Sequence, residues 1–129
     1  MDELDYRILG ILKKNARENF VDIAKALGVT EGTVRNRVKN LIEAGAIKRF
    51  TVEYEPPIEA LVILKSSMKN NRELIRSLKT FSDNIFEISG EHDIALIVEA
   101  QSVVELNKKV DRIRELKGVA GTNTAIRLN

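Results

Sequence analysis

The most constraining feature of this sequence is Pro56-Pro57, an adjacent pair that holds the only prolines of the 129-residue chain. Proline fixes φ and lacks a backbone N–H, so two in succession extend neither a helix nor a central strand. The pair therefore predicts a short, stiff linker at residues 51–59. It separates a first domain, residues 1–50, from a second domain, residues 60–129. Domains this small are expected to depend on a partner for part of their stability.

The overall composition excludes several classes of protein. Hydrophobic residues make up 43% of the chain and charged residues 31%, as in soluble globular proteins. No apolar run is long enough to span a bilayer, and the acidic start, with Asp2, Glu3 and Asp5, is unlike a signal peptide. The absence of cysteine excludes disulfides, thiolate nucleophiles and cysteine-based zinc sites. We therefore expect a cytoplasmic protein.

The positive charge is concentrated in one short stretch of the chain. Residues 1–50 carry a net charge of +3 and residues 51–129 a net charge of −1, while residues 30–50 alone carry +3. A local basic patch on a nearly neutral protein favours a polyanionic partner that is bound by one face. A solvated, charged helix face is the alternative interpretation.

Three short helices are predicted in the first half. Asn19 and Thr30 are suitable N-caps for the second and third helices, and Gly28 and Gly45 are suitable stops for them. The apolar positions recur at helical spacing: Leu4, Ile8, Ile11 and Leu12 in the first helix, Ile23, Ala24 and Leu27 in the second, and Val34, Val38, Leu41 and Ile42 in the third. The alternation over Ile47–Glu53 predicts a strand, or wing, after the third helix.

Residues 20–45 have the layout of a helix-turn-helix that binds DNA. Gly28 permits a sharp turn, Val29 fills the angle between two helices, and Thr30 caps the helix whose first residues would face base edges. Arg35 and Asn36 are side chains that recognise guanine and adenine in the major groove. The full set of predicted DNA contacts is Thr30, Glu31, Gly32, Thr33, Arg35, Asn36, Arg37, Lys39, Asn40, Lys48 and Arg49, of which Arg37, Lys39, Lys48 and Arg49 suit phosphates. The alternative is a structural helical hairpin with a solvated cationic face.

The second half repeats a strand–helix–strand order. Strands are predicted over Ala60–Ser66, Asn84–Ile88, Ile94–Ala100 and Thr122–Leu128, and helices over Arg72–Phe81 and Val103–Leu116. This βαββαβ order predicts an α+β chain whose second domain has a ferredoxin-like fold, with four antiparallel strands and two helices on one face. The other face of such a sheet is uncovered, so we expect it to pair with a second copy of the chain.

The chain resembles the leucine-responsive/AsnC (Lrp/AsnC, feast/famine) family of regulators. The matching residues are Leu4-Asp5, Ile8-Leu9, Leu12, Ala16-Arg17, Ile23-Ala24, Leu27-Gly28-Val29-Thr30, Thr33-Val34, Arg37-Val38, Leu41, Gly45, Ile47, Gly90, Asp93-Ile94, Gly118-Val119, Thr122 and Thr124. The resemblance implies a winged helix-turn-helix, a RAM-type ferredoxin-like sensing domain, binding to double-stranded DNA, and homodimers that assemble into tetramers or octamers. It also implies that a small effector, usually an amino acid, modulates the protein. The connection at Pro56-Pro57 is shorter than the usual linker of the family.

A candidate effector site lies in the turn Ser89–Asp93 between two predicted strands. Its glycine leaves backbone amides accessible to a carboxylate, while Asp93 or Glu91 could hold an ammonium group. The resemblance implies that the effector contacts are Gly90, His92, Asp93, Thr122, Asn123 and Thr124. The alternative is a tight turn in which Asp93 hydrogen-bonds its own backbone.

Catalysis and metal binding find no support in the sequence. His92 is the only histidine, and without cysteine a transition-metal site would rest on carboxylates. No serine or threonine has an evident base nearby, so we predict no catalytic residues, no metal and no cofactor. The expected function is sequence-specific, ligand-modulated regulation of transcription. The alternatives are an architectural protein that coats DNA and an enzyme similar to the sirohaem decarboxylases, which resemble this family in both halves.

Overall fold

The structure is a computed structural model that describes all residues, 1–129. The chain divides into two units, Met1–Glu53 and Tyr54–Asn129. Each unit has its own cluster of buried apolar side chains. None of the five helices combines the length and the apolar character that a membrane-spanning helix needs.

Three helices make up the first unit: α1 (Glu3–Lys14), α2 (Phe20–Leu27) and α3 (Glu31–Glu43). Each begins after a polar side chain that accepts a hydrogen bond from a backbone N–H in the first turn: Asp2 from Asp5, Asn19 from Asp22 and Thr30 from Thr33. After α2, Gly28 adopts the left-handed conformation with a φ of 69°. The helix starts predicted at Asn19 and Thr30 and the stop at Gly28 are confirmed.

The core of the first unit lies where the three helices meet. Ile8, Ile23 and Val34 are completely buried there, one from each helix. Among the predicted apolar positions Ile42 is the exception, because its side chain is 47% exposed. It lies one residue from the end of α3 and about 80° around the helix axis from Val34, at the margin of the buried stripe.

The segment after α3 contains no strand. Residues 48–57 form neither helix nor strand, so the strand predicted over Ile47–Glu53 is absent from the single chain. A segment becomes a strand only where a neighbouring strand takes up its backbone hydrogen bonds, and no other segment of this chain does so here. Phe50, Val52 and Tyr54 therefore remain exposed, by 53%, 78% and 62%. The first unit is therefore a three-helix unit with a helix-turn-helix and no wing strand.

The second unit is a four-stranded sheet with two helices. Its elements in chain order are β1 (Ile58–Ser66), α4 (Arg72–Leu78), β2 (Ile85–Glu87), β3 (Ile94–Ala100), α5 (Val103–Arg114) and β4 (Val119–Ile126). The strand order in the sheet is β2-β3-β1-β4, and all three pairings are antiparallel. The predicted α+β, ferredoxin-like arrangement is confirmed. The last strand begins at Val119, earlier than predicted, because Val119 already pairs with Ser66 across a register shift in β1.

The two faces of the sheet have different surroundings. The helix-facing residues of β1 and β3 are buried: Ala60, Val62, Leu64, Ile94, Leu96, Val98 and Ala100. They pack against the apolar stripes of α4 and α5: Leu74, Leu78, Leu106, Val110 and Ile113. The opposite face, here called the open face, bears Leu61, Ile63, Phe86, Ala95, Ile97 and Ala125. Phe86 is 52% exposed and Leu61 41% exposed, so this apolar face is left uncovered by its own chain.

Candidate nucleic-acid interface and effector loop

The turn between α2 and α3 is built by three residues. Gly28 takes φ 69° and ψ 34°, which reverses the chain direction without the strain that a Cβ would cause. The backbone N–H of Val29 donates to the Ala24 oxygen at 3.0 Å, and the Val29 side chain packs against the core. The Thr30 hydroxyl then accepts from the Thr33 N–H at 3.2 Å. This short connection places the beginning of α3 at the surface.

The surface of α3 opposite the core carries small and polar residues. Val34, Val38 and Leu41 define the buried side. At about 100° per residue, Gly32, Asn36, Lys39 and Asn40 lie within about 55° of the opposite direction. The side chains of Asn36, Lys39 and Asn40 are exposed and make no hydrogen bond or ion pair with the protein. They are therefore available to a ligand that lies along this helix.

Gly32 is not required by the packing of the protein itself. A Cβ built at this position would meet nothing within 4 Å, and its φ lies outside the left-handed region. A glycine in the first turn of a helix lowers helix stability relative to alanine. The packing of the free protein therefore does not explain a glycine at this position of α3, and its small size leaves the helix backbone accessible.

Arg37 differs from the other predicted DNA contacts, because its guanidinium is already engaged. It donates to the carboxylate of Asp2 at 2.6 Å and to that of Asp5 at 3.2 Å. This hydrogen bond from Arg37 lowers the pKa of Asp2 to about 2, and the two carboxylates in turn raise the pKa of Arg37. The side chain is half-buried and ties α3 to the first turn of α1. No local sequence pattern indicates this contact, because Asp2 and Asp5 lie 35 and 32 residues from Arg37.

The remaining cations of the basic stretch are exposed. Arg35 forms an ion pair with Glu31 one turn earlier on α3. Lys39 and Lys48 have no ion-pair partner, and Lys48 and Arg49 lie in the segment that follows α3. Of the eleven predicted residues, Glu31, Gly32, Thr33 and Arg37 are half-buried, whereas Thr30, Arg35, Asn36, Lys39, Asn40, Lys48 and Arg49 are exposed.

The predicted effector loop, residues 89–93, is held in place by hydrogen bonds of Asp93. Its carboxylate accepts a hydrogen bond from the Ser66 N–H at 2.7 Å, and its own N–H donates to the Leu64 oxygen at 2.9 Å. The Ile88 N–H donates to the Asp93 oxygen at 3.0 Å and closes the loop. Within it Gly90 has a φ of 118°, a conformation that favours glycine. Asp93 therefore stabilises the end of β1, a neighbouring strand, rather than only its own turn.

The six predicted effector residues are brought together only in part. Gly90, His92 and Asp93 share the loop, and Thr122 lies opposite Leu64 on the far side of β1. Asn123 belongs to the open face, whereas Thr122 and Thr124 face the helices. The Thr122 hydroxyl accepts from the Arg114 guanidinium at 2.8 Å, and the buried Thr124 hydroxyl has no hydrogen-bond partner.

A groove of about 280 Å³ is lined by Arg114, Val119, Ala120, Gly121 and Thr122. Arg114 was missed because no local pattern links it to β4.

No group of three or more His, Asp or Glu side chains is placed to hold a metal ion. The outer surface of α3 offers cations and side-chain amides, and the effector loop offers backbone amides and a carboxylate. Both sets of groups are suited to binding a ligand.

Comparison with known proteins gives consistent matches in sequence and in fold. Residues 1–42 match the AsnC-type helix-turn-helix domain. The chain is 40% identical to the HTH-type transcriptional regulator LysM of Saccharolobus solfataricus, covering 98% of this chain and 92% of that protein. Among solved structures, AsnC of E. coli has a TM-score of 0.75 at 23% identity, covering 100% of this chain and 93% of that one. The L-Met complex of the regulator NMB0573 from Neisseria meningitidis has a TM-score of 0.79 at 21% identity, with 100% and 90% covered.

These matches extend over both units of the chain. The relatives are named transcriptional regulators and share the helix-turn-helix, so the chain is a DNA-binding regulator and not an enzyme. It belongs to the Lrp/AsnC family of transcriptional regulators.

Proposed function

We propose that this protein regulates transcription by sequence-specific binding of α3 to double-stranded DNA, and that a small effector, an amino acid, tunes its assembly or DNA affinity. The observation that carries the proposal is the unpartnered outer surface of α3, with Gly32 at its beginning and Asn36, Lys39 and Asn40 along it. In this assignment residues 1–50 are the DNA-binding domain and residues 51–59 are the linker. Residues 60–129 bind the effector and form the contacts between copies of the chain. A regulator of this kind acts in the cytoplasm, where it meets DNA.

The proposed DNA contacts fall into two groups. Asn36 and Arg35 contact base edges, because an amide pairs with adenine and a guanidinium with guanine in the major groove. The phosphates that flank these bases are contacted by Lys39, Lys48 and Arg49. The capped start of α3, residues 30–33, also faces the DNA backbone. Arg37 acts indirectly, because its ion pairs with Asp2 and Asp5 hold α3 against α1.

The proposed assembly is a dimer formed by the open face. Five of the six apolar side chains there are exposed or half-buried, which is an unfavourable arrangement for a single chain in water. Pairing two such faces removes them from water and relates the two chains by a two-fold axis. Two copies of α3 can then occupy successive major grooves about one helical turn apart on a palindromic site.

The proposed effector site is the loop around Gly90. The backbone amides beside Gly90 suit a carboxylate, and the second oxygen of Asp93, which Ser66 does not use, suits an ammonium group. A structural neighbour of the same fold was solved with L-Met bound, and that supports an amino acid as the class of effector. The proposed effector contacts are Gly90, His92, Asp93, Thr122, Asn123 and Thr124. The site is completed where one dimer contacts another in a larger assembly.

Selection of bound duplexes from a random pool, with and without a mixture of amino acids, tests the proposal. We expect a palindromic consensus whose enrichment changes with one amino acid. Asn36→Ala should relax the consensus at one position in each half-site, whereas Asn107→Ala, an exposed asparagine on α5, should leave it unchanged. Uniform weak binding without a consensus would instead assign the protein to DNA coating, and absence of binding would refute the proposal.

A further inference from the structure

A second basic surface lies on the other unit, around α4. A groove of about 520 Å³ is lined by Lys69, Asn70, Asn71, Arg72, Ile75, Arg76, Lys79 and Glu87. Four of these eight residues are cations and one is an acid. The unit as a whole is neutral, since residues 54–129 contain eleven Lys and Arg and eleven Asp and Glu. The lining of this groove therefore carries a net charge of +3 within a unit that is neutral as a whole.

The cations occupy one side of α4. Arg72, Arg76 and Lys79 follow a spacing of four and three residues, so they lie within about 60° of one another around the helix axis. The buried stripe of α4, Leu74 and Leu78, lies on the other side. None of the four cations forms an ion pair, whereas Lys109, Arg114 and Arg127 of the same unit each have an acidic partner. Their charged groups are therefore not held by an acidic partner and are available to a ligand.

Two amides add further donors to the groove. The Asn71 side-chain oxygen accepts a hydrogen bond from the Ser66 hydroxyl at 2.6 Å, and the Asn70 side-chain oxygen accepts from the Arg72 N–H at 2.8 Å. Each asparagine thus uses its acceptor internally and leaves its NH₂ group without a partner. Apart from Glu87, the polar lining of the groove consists of donors, which is the chemistry that recognises an anion.

We propose that this groove is a second DNA-binding surface, which contacts the phosphate backbone through its cations. The row from Arg72 to Lys79 is about 10 Å long, which is enough to contact more than one phosphate of a DNA strand. The groove is open and its cations are exposed, an arrangement that holds a repeating polyanion by many weak contacts rather than enclosing one small ion. It lies on the helix side of the sheet, so pairing of the open faces leaves it accessible.

The salt dependence of DNA binding by the full chain tests this inference, which rests on the proposed function of α3. The probe is a random-sequence duplex of about 60 base pairs, several helical turns long. The double variant R72Q/R76Q should lower the slope of log K against log salt by about 2, since each phosphate contact contributes about 0.9. The variant K108Q/R112Q removes two unpaired, exposed cations at the same spacing on α5 and should leave the slope unchanged.

The outcomes are distinguishable. Equal slopes for R72Q/R76Q and K108Q/R112Q overturn the inference while leaving DNA binding by α3 intact. Absence of wild-type binding both to this duplex and to every member of the random pool refutes the proposed function and this inference with it. If R72Q/R76Q lowers the melting temperature, K69Q/K79Q, which changes two other exposed cations, provides the same measurement. Titration of inorganic pyrophosphate, followed by the NMR signals of the Asn70 and Asn71 side-chain amides, tests the small-anion alternative. Saturation at sub-millimolar pyrophosphate with an unchanged DNA slope would reassign the groove to a free anion.

Discussion

The guanidinium of Arg37 in α3 donates a hydrogen bond to the carboxylate of Asp2, the N-cap of α1, over 2.6 Å. The same Asp2 carboxylate accepts the Asp5 N–H, and Asp5 in turn accepts from Arg37. The start of α1 and the middle of α3 are thus joined through one shared cation. A side chain that the sequence assigns to DNA phosphates is in the free protein a contact between two helices.

This contact predicts a dependence of stability on acidic pH. The folded-state pKa of Asp2 is lowered from 3.8 to about 2, chiefly by Arg37, so the contribution is fully present above about pH 4 and is lost as the pH falls toward 2. Arg37→Gln should lower the melting temperature at neutral pH, and its difference from the wild type should shrink between about pH 4 and pH 2. Arg17→Gln, an exposed arginine without an ion pair, should keep a constant difference. A pH-independent difference for Arg37→Gln would contradict the ion pair.

The two carboxylate oxygens of Asp93 should have different roles. One accepts the Ser66 N–H and stabilises the fold, and the other binds the effector. Asp93→Ala removes the acceptor of the Ser66 N–H and should lower the free energy of unfolding by about 1–2 kcal/mol. Asp93→Asn keeps an acceptor but removes the charge, so it should unfold nearly as the wild type does while losing the response of DNA binding to amino acids. Urea denaturation and hydrogen exchange at the Ser66 amide measure the first effect. If Asp93→Ala is as stable as Glu91→Ala, an exposed neighbour, the structural role is wrong.

Gly118 should tolerate no side chain, unlike Gly121 in the strand that follows. Its φ is 98°, and an added Cβ would lie 2.6 Å from the Met68 Cγ. The backbone strain alone costs about 1–2 kcal/mol for an L-residue, and Met68 must move as well. Gly118→Ala should therefore lower the free energy of unfolding by at least this amount, whereas Gly121→Ala, which meets nothing within 4 Å, should change it little. Equal stability of the two variants would contradict the geometry of the turn.

The open face should be the site of dimer formation. Leu61 lies at its centre, between Ile97 and Ala125. Leu61→Glu would bury an unpaired carboxylate in the dimer, so we expect dissociation to become easier by at least about 100-fold in Kd. Val104→Glu, at a 65% exposed apolar position on α5, is the control and should leave the dimer intact. Sedimentation equilibrium distinguishes the two, and an undiminished dimer of Leu61→Glu would place the interface elsewhere.

Local patterns in the sequence predicted most of the fold, because helix starts and stops depend on residues only a few positions apart. Asn19, Thr30 and Gly28 act within one turn of their helices, and the alternation in β3 reflects the two sides of a single strand. What sequence patterns missed depends on residues distant along the chain. The Arg37–Asp2 contact spans 35 residues and the Ser66–Asp93 contact 27. The predicted strand at Ile47–Glu53 did not form because a strand depends on a partner as well as on its own alternation.

Gly32 gives the sharpest separation between stability and DNA binding. Alanine fits there without a contact in the free protein and is the better helix former, so Gly32→Ala should raise the free energy of unfolding by about 0.5–1 kcal/mol. If the backbone of α3 approaches DNA closely at this point, the added methyl group should also weaken binding, by at least about tenfold. Gly10→Ala is the matched control, because Gly10 is an exposed glycine in α1 with the same open surroundings. It should raise stability by a similar amount and leave binding unchanged. Denaturation and duplex titration of both variants measure the two effects, and a Gly32→Ala variant that binds DNA as tightly as Gly10→Ala would remove the beginning of α3 from the interface.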